Sequence, residues 1–392
     1  MNLLTYTTLY PSAVAPQHGV FVENRLRRII ATGDVSARVV APVPWFPFSG
    51  DVFGRYGKFA RIEQSEERFG IDVDHPRYLS IPKIGMTAAP GLLYRGTIEH
   101  VRRQVAETGA ALIDAHYFYP DGVAAAMIGR AVGLPVVITA RGSDINLIAQ
   151  YEGPRKRIVE AANQSAAIIA VSDALRSRMI EIGIDPDRIH VLRNGVDMEI
   201  FSPVQMEVAR TTLGINRPSM VTVGNVLSTK GQDVAIRALE LIPDIDLIVV
   251  GAGADERAFQ NLAGQLGVAD RVRFIGHVPH DELKNWFSAA EFSVLASVRE
   301  GWPNVLLESM ACGTPVIASN VGGIPEIIGS PEAGRIMGQR TPEALAAAIR
   351  DLRASLPDRA ATRAWAEKFD WDSSVRGQIE LYRDILSSGA RS

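Results

Sequence analysis

The stretch VREGWPNVLLESMACGTPVIASNVGGIPEII, residues Val298–Ile328, shows how this chain is built. It follows the apolar run Phe292–Leu295, which is typical of a buried strand. Pro303 suits the first turn of a helix, and Gly313 suits the position just after its end. The apolar run Pro315–Ser319 then predicts another strand. A strand, a loop, a helix and a second strand in this order predict a parallel βαβ unit.

The same alternation extends over both halves of the chain. The other predicted strands are Leu3–Thr7, Ala37–Ala41, Leu112–Ala115, Val136–Ala140, Ile168–Val171, Ile189–Leu192, Met220–Gly224, Asp246–Gly251 and Val272–Gly276. Predicted helices are Phe21–Ala31, Leu93–Thr108, Asp121–Val132, Arg155–Asn163, Asp173–Ile182, Gly231–Leu241, Ala254–Leu266, His280–Ser288 and Pro303–Cys312. We therefore expect an α/β protein of two Rossmann-like, doubly wound domains that face a central cleft.

The turn-rich segment Asn194–Val208 separates the two series of elements and predicts a hinge. We expect an N-terminal domain over residues 1–196 and a C-terminal domain over residues 197–371. We expect a last helix, over residues 372–392, to pack back on the first domain.

Composition excludes several classes of protein. The chain has 392 residues, of which 47% are apolar and 22% charged, so it can bury a full core and is not disordered. Its one cysteine, Cys312, excludes a disulfide framework and a cysteine-based zinc site. The net charge of −3 gives no basic footprint for nucleic acid. No membrane span or signal peptide is visible, which predicts a cytoplasmic protein and leaves contact with the inner face of the cell membrane open.

Common cofactor and nucleophile motifs are absent from the sequence. Gly251-Ala252-Gly253 has Glu256 where a dinucleotide fingerprint needs glycine. There is no P-loop, no His-Glu-x2-His and no Gly-x-Ser-x-Gly. We therefore expect neither a cofactor nor a bound metal.

The start of the helix in Val298–Ile328 carries the strongest chemical signal. The N–H groups of Asn304, Val305 and Leu306 are expected to be free there, and a helix N-terminus favours a phosphate group. Glu308 shares a face with Asn304 and can accept ribose hydroxyls, whereas Glu300 precedes the helix. The alternative is that both glutamates are solvated charges, but the ordered strand, loop and helix around them favour a sugar–phosphate–nucleoside ligand.

This stretch resembles the Glu-x7-Glu signature of family 4 glycosyltransferases, which are retaining enzymes with the two-Rossmann GT-B fold. The resemblance covers nearly the whole chain, and the flanking motifs occur in the family's order. These motifs are Tyr10-Pro11, Gly19-Val-Phe-Val22, Gly142-Ser-Asp144, Val171-Ser172, Arg193-Asn-Gly-Val-Asp197, Val223-Gly224, Lys230-Gly231, Gly301, Pro303-Asn304, Gly313-Thr-Pro315 and Gly322-Gly-Ile-Pro-Glu326. The first three resemble a bacterial branch that makes envelope polysaccharides and exopolysaccharides, of the teichuronic-acid type.

The resemblance implies a role for each matching residue. Glu300, with Gly301 beside it, would bind the hydroxyls of the donor sugar, and Glu308 would bind the ribose. Lys230 would neutralise the diphosphate. The resemblance also implies that Gly19 lets the N-terminal loop approach the diphosphate and that His116 lies near the reacting sugar. Read without the resemblance, His116 is a hydrogen-bonded strand-end histidine and Lys230 a solvated charge.

Two positions depart from the family pattern. Asn225 stands where relatives often place a diphosphate-binding arginine, directly after Gly224. Arg141 stands where many relatives have a histidine, before the Gly-x-Asp motif that ends in Asp144. We expect Arg141 or Arg299 to supply the missing positive charge, and Arg141 and Asp144 to lie on the acceptor side.

The segment Val43–Ile62 mixes aromatic and basic side chains. Its members include Trp45, Phe46, Arg55 and Lys58. Such a mixture suits an interfacial loop that meets a glycan or a lipid-linked acceptor. The alternative, that these aromatic residues pack onto their own domain, is equally compatible with the sequence.

Together these observations predict a retaining hexosyltransferase of cell-envelope polysaccharide synthesis. It would transfer a sugar from a nucleotide-diphospho-sugar to a glycan or lipid-linked acceptor without a metal. Two alternatives stay open: a nucleotide-sugar epimerase on the same scaffold, and a non-catalytic protein that binds nucleotide sugars.

Overall fold

The computed structural model describes residues 1–80 and 86–389 and divides the chain into two units. The first unit comprises Met1–Leu192 and Ser373–Ser392, and the second comprises Arg193–Asp372. The sequence-based boundaries were 196/197 and 371/372, close to this division.

The first unit contains ten strands and seven complete helices among its described residues. The strands are β1 (Asn2–Tyr6), β2 (Ser36–Val40), β3 (Val43–Pro44), β4 (Ser65–Arg68), β5 (Ile71–Asp74), β6 (Arg77–Tyr78), β7 (Leu112–His116), β8 (Val136–Ala140), β9 (Ala167–Ala170) and β10 (Ile189–Val191). The helices are α1 (Val20–Ala31), α2 (Arg55–Arg61), α3 (Ala89–Thr108), α4 (Val123–Val132), α5 (Ser143–Asn146), α6 (Glu152–Gln164) and α7 (Asp173–Glu181).

The main sheet of the first unit has the order β10-β9-β8-β7-β1-β2-β5-β4. Every pairing in it is parallel except that of β4 with β5. Strands β7, β8 and β9 are buried along their whole length, as expected for central parallel strands covered on both faces. Strands β3 and β6 form a separate parallel pair.

The second unit alternates strands with helices throughout. Its strands are β11 (Ser219–Val223), β12 (Asp246–Val250), β13 (Val272–Gly276), β14 (Phe292–Leu295), β15 (Val316–Ser319) and β16 (Gly334–Met337). Its helices are α8 (Met206–Leu213), α9 (Gln232–Ala238), α10 (Glu256–Gln265), α11 (Leu283–Ala289), α12 (Asn304–Ala311), α13 (Ile324–Ile327), α14 (Pro342–Ala354) and α15 (Arg359–Ala366). Helix α16 (Trp371–Gly389) begins at the end of this unit.

The sheet of the second unit is entirely parallel, with the order β13-β12-β11-β14-β15-β16. Leu247, Phe292, Ile317 and Leu345 belong to its buried core. Burying each such side chain stabilises the fold by roughly 1.5–3 kcal/mol, so both faces of the sheet must stay covered. The strand order reverses between β11 and β14, which is where open α/β sheets bind ligands.

Several elements differ from the sequence-based expectation. The helix expected over Pro303–Cys312 is α12, and Pro303 precedes it as an extended cap rather than starting it. The hinge expected over Asn194–Val208 ends earlier, because helix α8 begins at Met206. The sequence analysis missed β16, α14 and α15. For α14 a signal was available, since Thr341 caps its N-terminus with its side chain.

Candidate functional site

The residues with the strongest sequence signal lie at the carboxyl ends of β11 and β14 in the second unit. Lys230 ends the turn that leads from β11 to α9, and Glu300 lies in the loop after β14. The strand order reverses between these two strands, and open α/β sheets bind ligands at such a point. The topology therefore brings together two charged residues that are 70 positions apart.

A short ion pair joins Lys230 and Glu300. The Lys230 ammonium donates to Oε1 of Glu300 at 2.7 Å, and the Ser297 hydroxyl donates to the same oxygen at 2.6 Å. Ser297 is fully buried at the end of the β14 strand, so it can hold the carboxylate in one orientation. Lys230 is about one-third exposed, so its ammonium can leave Glu300 for another anion. The sequence analysis did not identify Ser297.

The loops that carry Lys230 and Glu300 are hydrogen-bonded to each other. The Val298 N–H donates to the Thr229 carbonyl at 2.9 Å. Gly231 has φ +86°, and a Cβ there would lie 2.0 Å from the Ala296 carbonyl oxygen, so only glycine fits. Two main-chain contacts thus hold the lysine beside the glutamate.

Arg340, in the loop before α14, adds a side-chain bridge between the same two loops. Its Nε donates to the Ala296 carbonyl at 2.7 Å, and its Nη2 donates to the Ser228 carbonyl at 2.8 Å. The same guanidinium pairs with Asp233 at 3.3 Å. Arg340 was not a predicted site residue, because nothing in its local sequence marks the two carbonyls that it reaches.

Helix α12 begins beside Glu300, and two of the three N–H groups expected to be free at its start have no acceptor among the described residues. No acceptor among the described residues lies within hydrogen-bond distance of the N–H groups of Asn304 and Val305. The expectation for Leu306 was wrong: its N–H donates to the Pro303 carbonyl at 3.1 Å, since the extended cap turns that carbonyl toward the first turn. The Asn304 side chain accepts from Asn194 at 3.3 Å.

Glu308 lies one turn further along α12. Its Oε1 accepts a hydrogen bond from Nε2 of His280 at 3.1 Å. Burial lowers the pKa of His280, but the hydrogen bond and charge of Glu308, with Asp281 and Asp197, raise that pKa above 6.5 overall. His280 was predicted only as the start of a helix, not as part of the site.

Asn225, Gly301 and Gly322 lie in the loops that follow β11, β14 and β15. The Asn225 carbonyl accepts from the Gln232 side chain at 3.1 Å, and Asn225 itself is exposed. The Gly301 carbonyl accepts from the Gly323 N–H at 3.1 Å. A Cβ on Gly322 would lie 1.9 Å from the Glu300 carbonyl oxygen, so the glycine-rich turn packs directly against the loop of Glu300.

The first unit places a second polar cluster at the carboxyl end of β7. Nε2 of His116 lies 3.0 Å from Oδ2 of Asp114, and Nδ1 lies 2.8 Å from Nη2 of Arg141. A guanidinium can only donate, so Nδ1 is the acceptor and Nε2–H donates to Asp114. Both nitrogens of the neutral imidazole are therefore engaged within this unit.

Burial decides the protonation of this cluster. Burial lowers the pKa of His116, and the nearby charge of Arg141 acts in the same direction despite the opposing effect of Asp114. Burial raises the pKa of Asp114, but its contacts with His116 and Tyr382 and the charge of Arg25 lower it overall. At neutral pH the cluster consists of an ionised aspartate, a neutral histidine and a charged arginine.

Asp144 is fully buried and serves the backbone of its own loop. Its carboxylate accepts from the N–H groups of Phe118, Arg141, Gly142 and Ile145 at 2.7–3.2 Å. Burial raises its pKa against the effect of these donors. These hydrogen bonds hold the main chain of Arg141 in place.

The loop between β1 and α1 is held by a buried aspartate that the sequence analysis missed as a site residue. The Thr8 N–H and hydroxyl donate to Oδ2 of Asp121 at 2.5 and 2.9 Å. Burial raises the pKa of Asp121 to about 7. Gly19, at the end of this loop, has φ +73°, and a Cβ there would lie 2.3 Å from the Leu9 carbonyl oxygen. The close approach that Gly19 permits in this structure is to its own loop.

The segment Val43–Ile62 shows features of both predicted alternatives, since its aromatic rings pack together and some of them are also exposed. The rings of Phe46, Phe48, Phe53, Tyr56 and Phe59 contact one another at centroid distances of 5.2–6.1 Å. Trp45 and Phe48 are nevertheless more than half exposed. Lys58 is exposed on α2, whereas the side chain of Arg55 lies outside the described residues.

Among the residues that the structure describes, no group of three or more His, Cys, Asp or Glu side chains lies close enough to hold a metal ion. Within residues 1–80 and 86–389, none of the helices combines the length and the apolar character needed to cross a bilayer.

Comparison with known proteins agrees with this architecture. Residues 52–200 match the description "Glycosyltransferase Family 4", and residues 207–369 match "Glycosyl transferases group 1". A D-inositol 3-phosphate glycosyltransferase of Acidothermus cellulolyticus is 32% identical over 309 residues, which is 70% of this chain and 67% of the relative. The chain belongs to glycosyltransferase family 4.

Two further similarities extend over most of this family 4 chain. The putative teichuronic acid biosynthesis glycosyltransferase TuaC of Bacillus subtilis is 28% identical over 356 residues, 89% of this chain and 88% of the relative. The crystal structure of Anabaena Alr3699/HepE in complex with UDP has a TM-score of 0.75 at 19% identity, covering 98% of this chain and 100% of that one. The predicted family, fold class and glycosyltransferase activity are confirmed.

Proposed function

We propose that this glycosyltransferase transfers a hexose from a nucleotide-diphospho-sugar to a glycan or lipid-linked acceptor, with retention of the anomeric configuration. The contact between Lys230 and Glu300 beside the start of α12 carries the proposal. A partly exposed cation, a carboxylate and two backbone N–H donors at one edge of the sheet support it. A sugar diphosphate needs these three kinds of group.

The donor is proposed to bind by exchange of the Lys230 ion pair. The ammonium leaves Glu300 for the diphosphate, which also accepts from the N–H groups of Asn304 and Val305. Glu300, still held by Ser297, then accepts hydrogen bonds from the hydroxyls of the sugar. Glu308 accepts from the ribose. Because the Lys230 ammonium and the two backbone N–H groups already lie in place, the growing charge on the leaving group is stabilised without a metal.

In the transfer step the bond between the anomeric carbon and the diphosphate oxygen breaks. The acceptor hydroxyl forms the new bond on the same face of the sugar, and its proton passes to the departing phosphate oxygen. The sugar–phosphate bond is thereby exchanged for a glycosidic bond with no net redox change. No protein nucleophile is required for this balance.

The acceptor side is assigned to the first unit. His116 and Arg141 are proposed to act there as a pair, since His116 orients the guanidinium through Nδ1. Arg141 also lies over the ring of Phe21, with its Cζ 5.1 Å from the centroid. An oriented cation beside an aromatic ring suits a sugar acceptor that carries an anionic group.

The exposed aromatic surface of the first unit is proposed to rest on an anionic membrane. Trp45, Phe48 and Phe53 would enter the interface, and Lys58 and Arg61 would face the lipid headgroups. We expect cosedimentation with vesicles that contain phosphatidylglycerol but not with pure phosphatidylcholine vesicles. The double variant Trp45→Ala, Phe48→Ala should no longer cosediment with these vesicles. Tyr151→Ala, at an equally exposed aromatic residue elsewhere on this unit, should leave it unchanged.

The activity is tested by incubating the enzyme with UDP-, GDP- and ADP-sugars and candidate acceptors. A lengthened glycan whose new linkage keeps the donor's anomeric configuration by NMR supports the proposal. A new sugar nucleotide without acceptor would indicate an epimerase instead. An inverted linkage would contradict retention. The names of the relatives make inositol phosphates and envelope polysaccharide precursors the first acceptors to try.

A further inference from the structure

His280 contacts the candidate nucleotide site from outside the motif that defines it. It starts the short turn His280–Glu282, which precedes α11, and its Nε2 lies 3.1 Å from Oε1 of Glu308 on α12. This is the one hydrogen bond to the Glu308 carboxylate among the described residues. The two residues are 28 positions apart, so the pairing is a product of tertiary packing.

The imidazole of His280 is held by packing as well as by this bond. The edge of the ring meets the ring of Phe201 at a centroid distance of 5.0 Å and an interplanar angle of 84°. Phe201 is fully buried and also packs against Phe287 of α11. Since its aromatic neighbour cannot move freely, the His280 ring is fixed in the orientation that points Nε2 at Glu308.

The charges around the ring keep a proton on Nε2. Three carboxylates face it: Glu308 on α12, Asp281 on its own turn and Asp197 in the chain segment before α8. Together they outweigh the effect of burial and raise the pKa of His280 above 6.5. A carboxylate oxygen accepts, so the Nε2–H of His280 is the donor, and the pair is a charge-assisted hydrogen bond.

We propose that His280 is a positioning residue that holds Oε1 of Glu308, so that the other carboxylate oxygen, Oε2, meets the ribose hydroxyls of the nucleotide. The inference rests on the proposed donor site. A carboxylate that is already oriented loses less rotational freedom when the nucleotide binds. The carboxylate can accept about four hydrogen bonds, so the bond from His280 leaves room for both hydroxyls of the ribose.

The test compares nucleotides that differ only in the ribose hydroxyls. Calorimetry with UDP, GDP and ADP first selects the nucleoside diphosphate that binds most tightly, and its 2′,3′-dideoxy form is the matched probe. We expect His280→Ala to weaken binding of the parent nucleotide about tenfold, which is the scale of one charge-assisted hydrogen bond. Binding of the dideoxy form should stay unchanged. His280→Gln keeps an N–H donor and should restore part of the affinity. His190→Gln, on the exposed strand β10, is the control.

If His280→Ala weakened binding of both nucleotides equally, the proposal would be overturned, because an effect of general packing does not depend on the ribose hydroxyls. Glu308→Ala separates this failure from that of the donor site. If Glu308→Ala leaves nucleotide binding unchanged, the donor site itself is wrong. If Glu308→Ala removes the preference for the ribose form and His280→Ala does not reduce it, only the role of His280 fails. The double variant should be no weaker than Glu308→Ala.

The pH dependence gives a second readout that a purely structural role would not change. As the pH rises through the raised pKa of His280, the imidazole loses its charge and its grip on Glu308 weakens. The ratio of the dideoxy to the parent dissociation constant should therefore fall as the pH rises through that pKa. The phosphates of the two nucleotides titrate alike and cancel in this ratio. His280→Gln should show a flat ratio, and a fall of equal size in that variant would contradict the proposal.

Discussion

The two units place polar clusters at equivalent points of their sheets, but the clusters differ in how far they are buried. In the second unit, Lys230 is about one-third exposed, and its ammonium can exchange Glu300 for another anion. In the first unit, His116 and Asp114 are each 1% exposed, and both nitrogens of the histidine already have partners. The fold provides the same position twice, and burial decides whether the group there is available for binding.

The difference has a physical cause. A partly exposed ion pair contributes less to stability than a buried one, so breaking it to bind a ligand costs less. A buried ion pair is costly to break, because the partner left behind is a charge without compensation. We therefore expect the loss of the Lys230–Glu300 pair to affect activity most, and the loss of the buried Asp114–His116 pair to affect stability most.

The largest effect should come from removing the exchangeable pair. Lys230→Ala and Glu300→Gln should each lower kcat/KM for transfer by about 10²–10³-fold, the range of one electrostatic stabiliser in an active site. The unfolding midpoint should change little. Lys156→Ala, which breaks an exposed ion pair of the same 2.7 Å length with Glu152, is the control. Near-normal turnover in both site variants would refute the site.

Removing Asp114 should lower the stability of the protein and leave nucleotide binding intact. Asp114→Ala leaves His116, Arg25 and Tyr382 without their buried anion, and urea unfolding should show a loss of about 3 kcal/mol. Nucleotide binding to the second unit should persist wherever the protein remains folded. A variant as stable as the parent would show that the cluster is not held as the structure indicates, and the contrast between the units would fail.

Arg340→Met tests how far positioning matters in the second unit. Because the guanidinium bridges the Ser228 and Ala296 carbonyls, its loss should loosen the loops of Lys230 and Glu300 and lower kcat about tenfold. Arg335→Met removes a comparable arginine that bonds to Asp351 and to nearby carbonyls away from these loops. Equal losses of activity in both variants would indicate a general effect of stability. Arg340→Lys should recover part of kcat.

The last expected effect is a pH dependence of stability in the first unit. The pKa of Asp121 is raised to about 7, so the folded state favours its protonated form. Ionisation therefore costs folding free energy as the pH rises from about 4, the unfolded value, to 7. Asp121→Asn mimics the protonated form and should gain stability relative to the parent across this range, measured by urea unfolding at several pH values. A constant difference between the two proteins would contradict the raised pKa.

The sequence predicted the central strands and the family accurately. Val136–Ala140 and Phe292–Leu295 were predicted with the bounds that the structure has. Their continuous apolar runs are typical of strands covered on both faces, and this signal is local. Edge elements such as β4, with its sequence Ser-Glu-Glu-Arg, lack that signal and were missed.

The amino-acid sequence by itself determined the alternation of strands and helices, the family, and which residue types stand at the strand ends, because these follow from local patterns. Only the tertiary structure decided their partners. Whether Lys230 meets Glu300, Glu308 meets His280, or His116 meets Arg141 depends on chain segments 25 to 70 residues apart. Burial and hydrogen-bond partners set the protonation and freedom of a side chain, and both arise only when the sheets are complete.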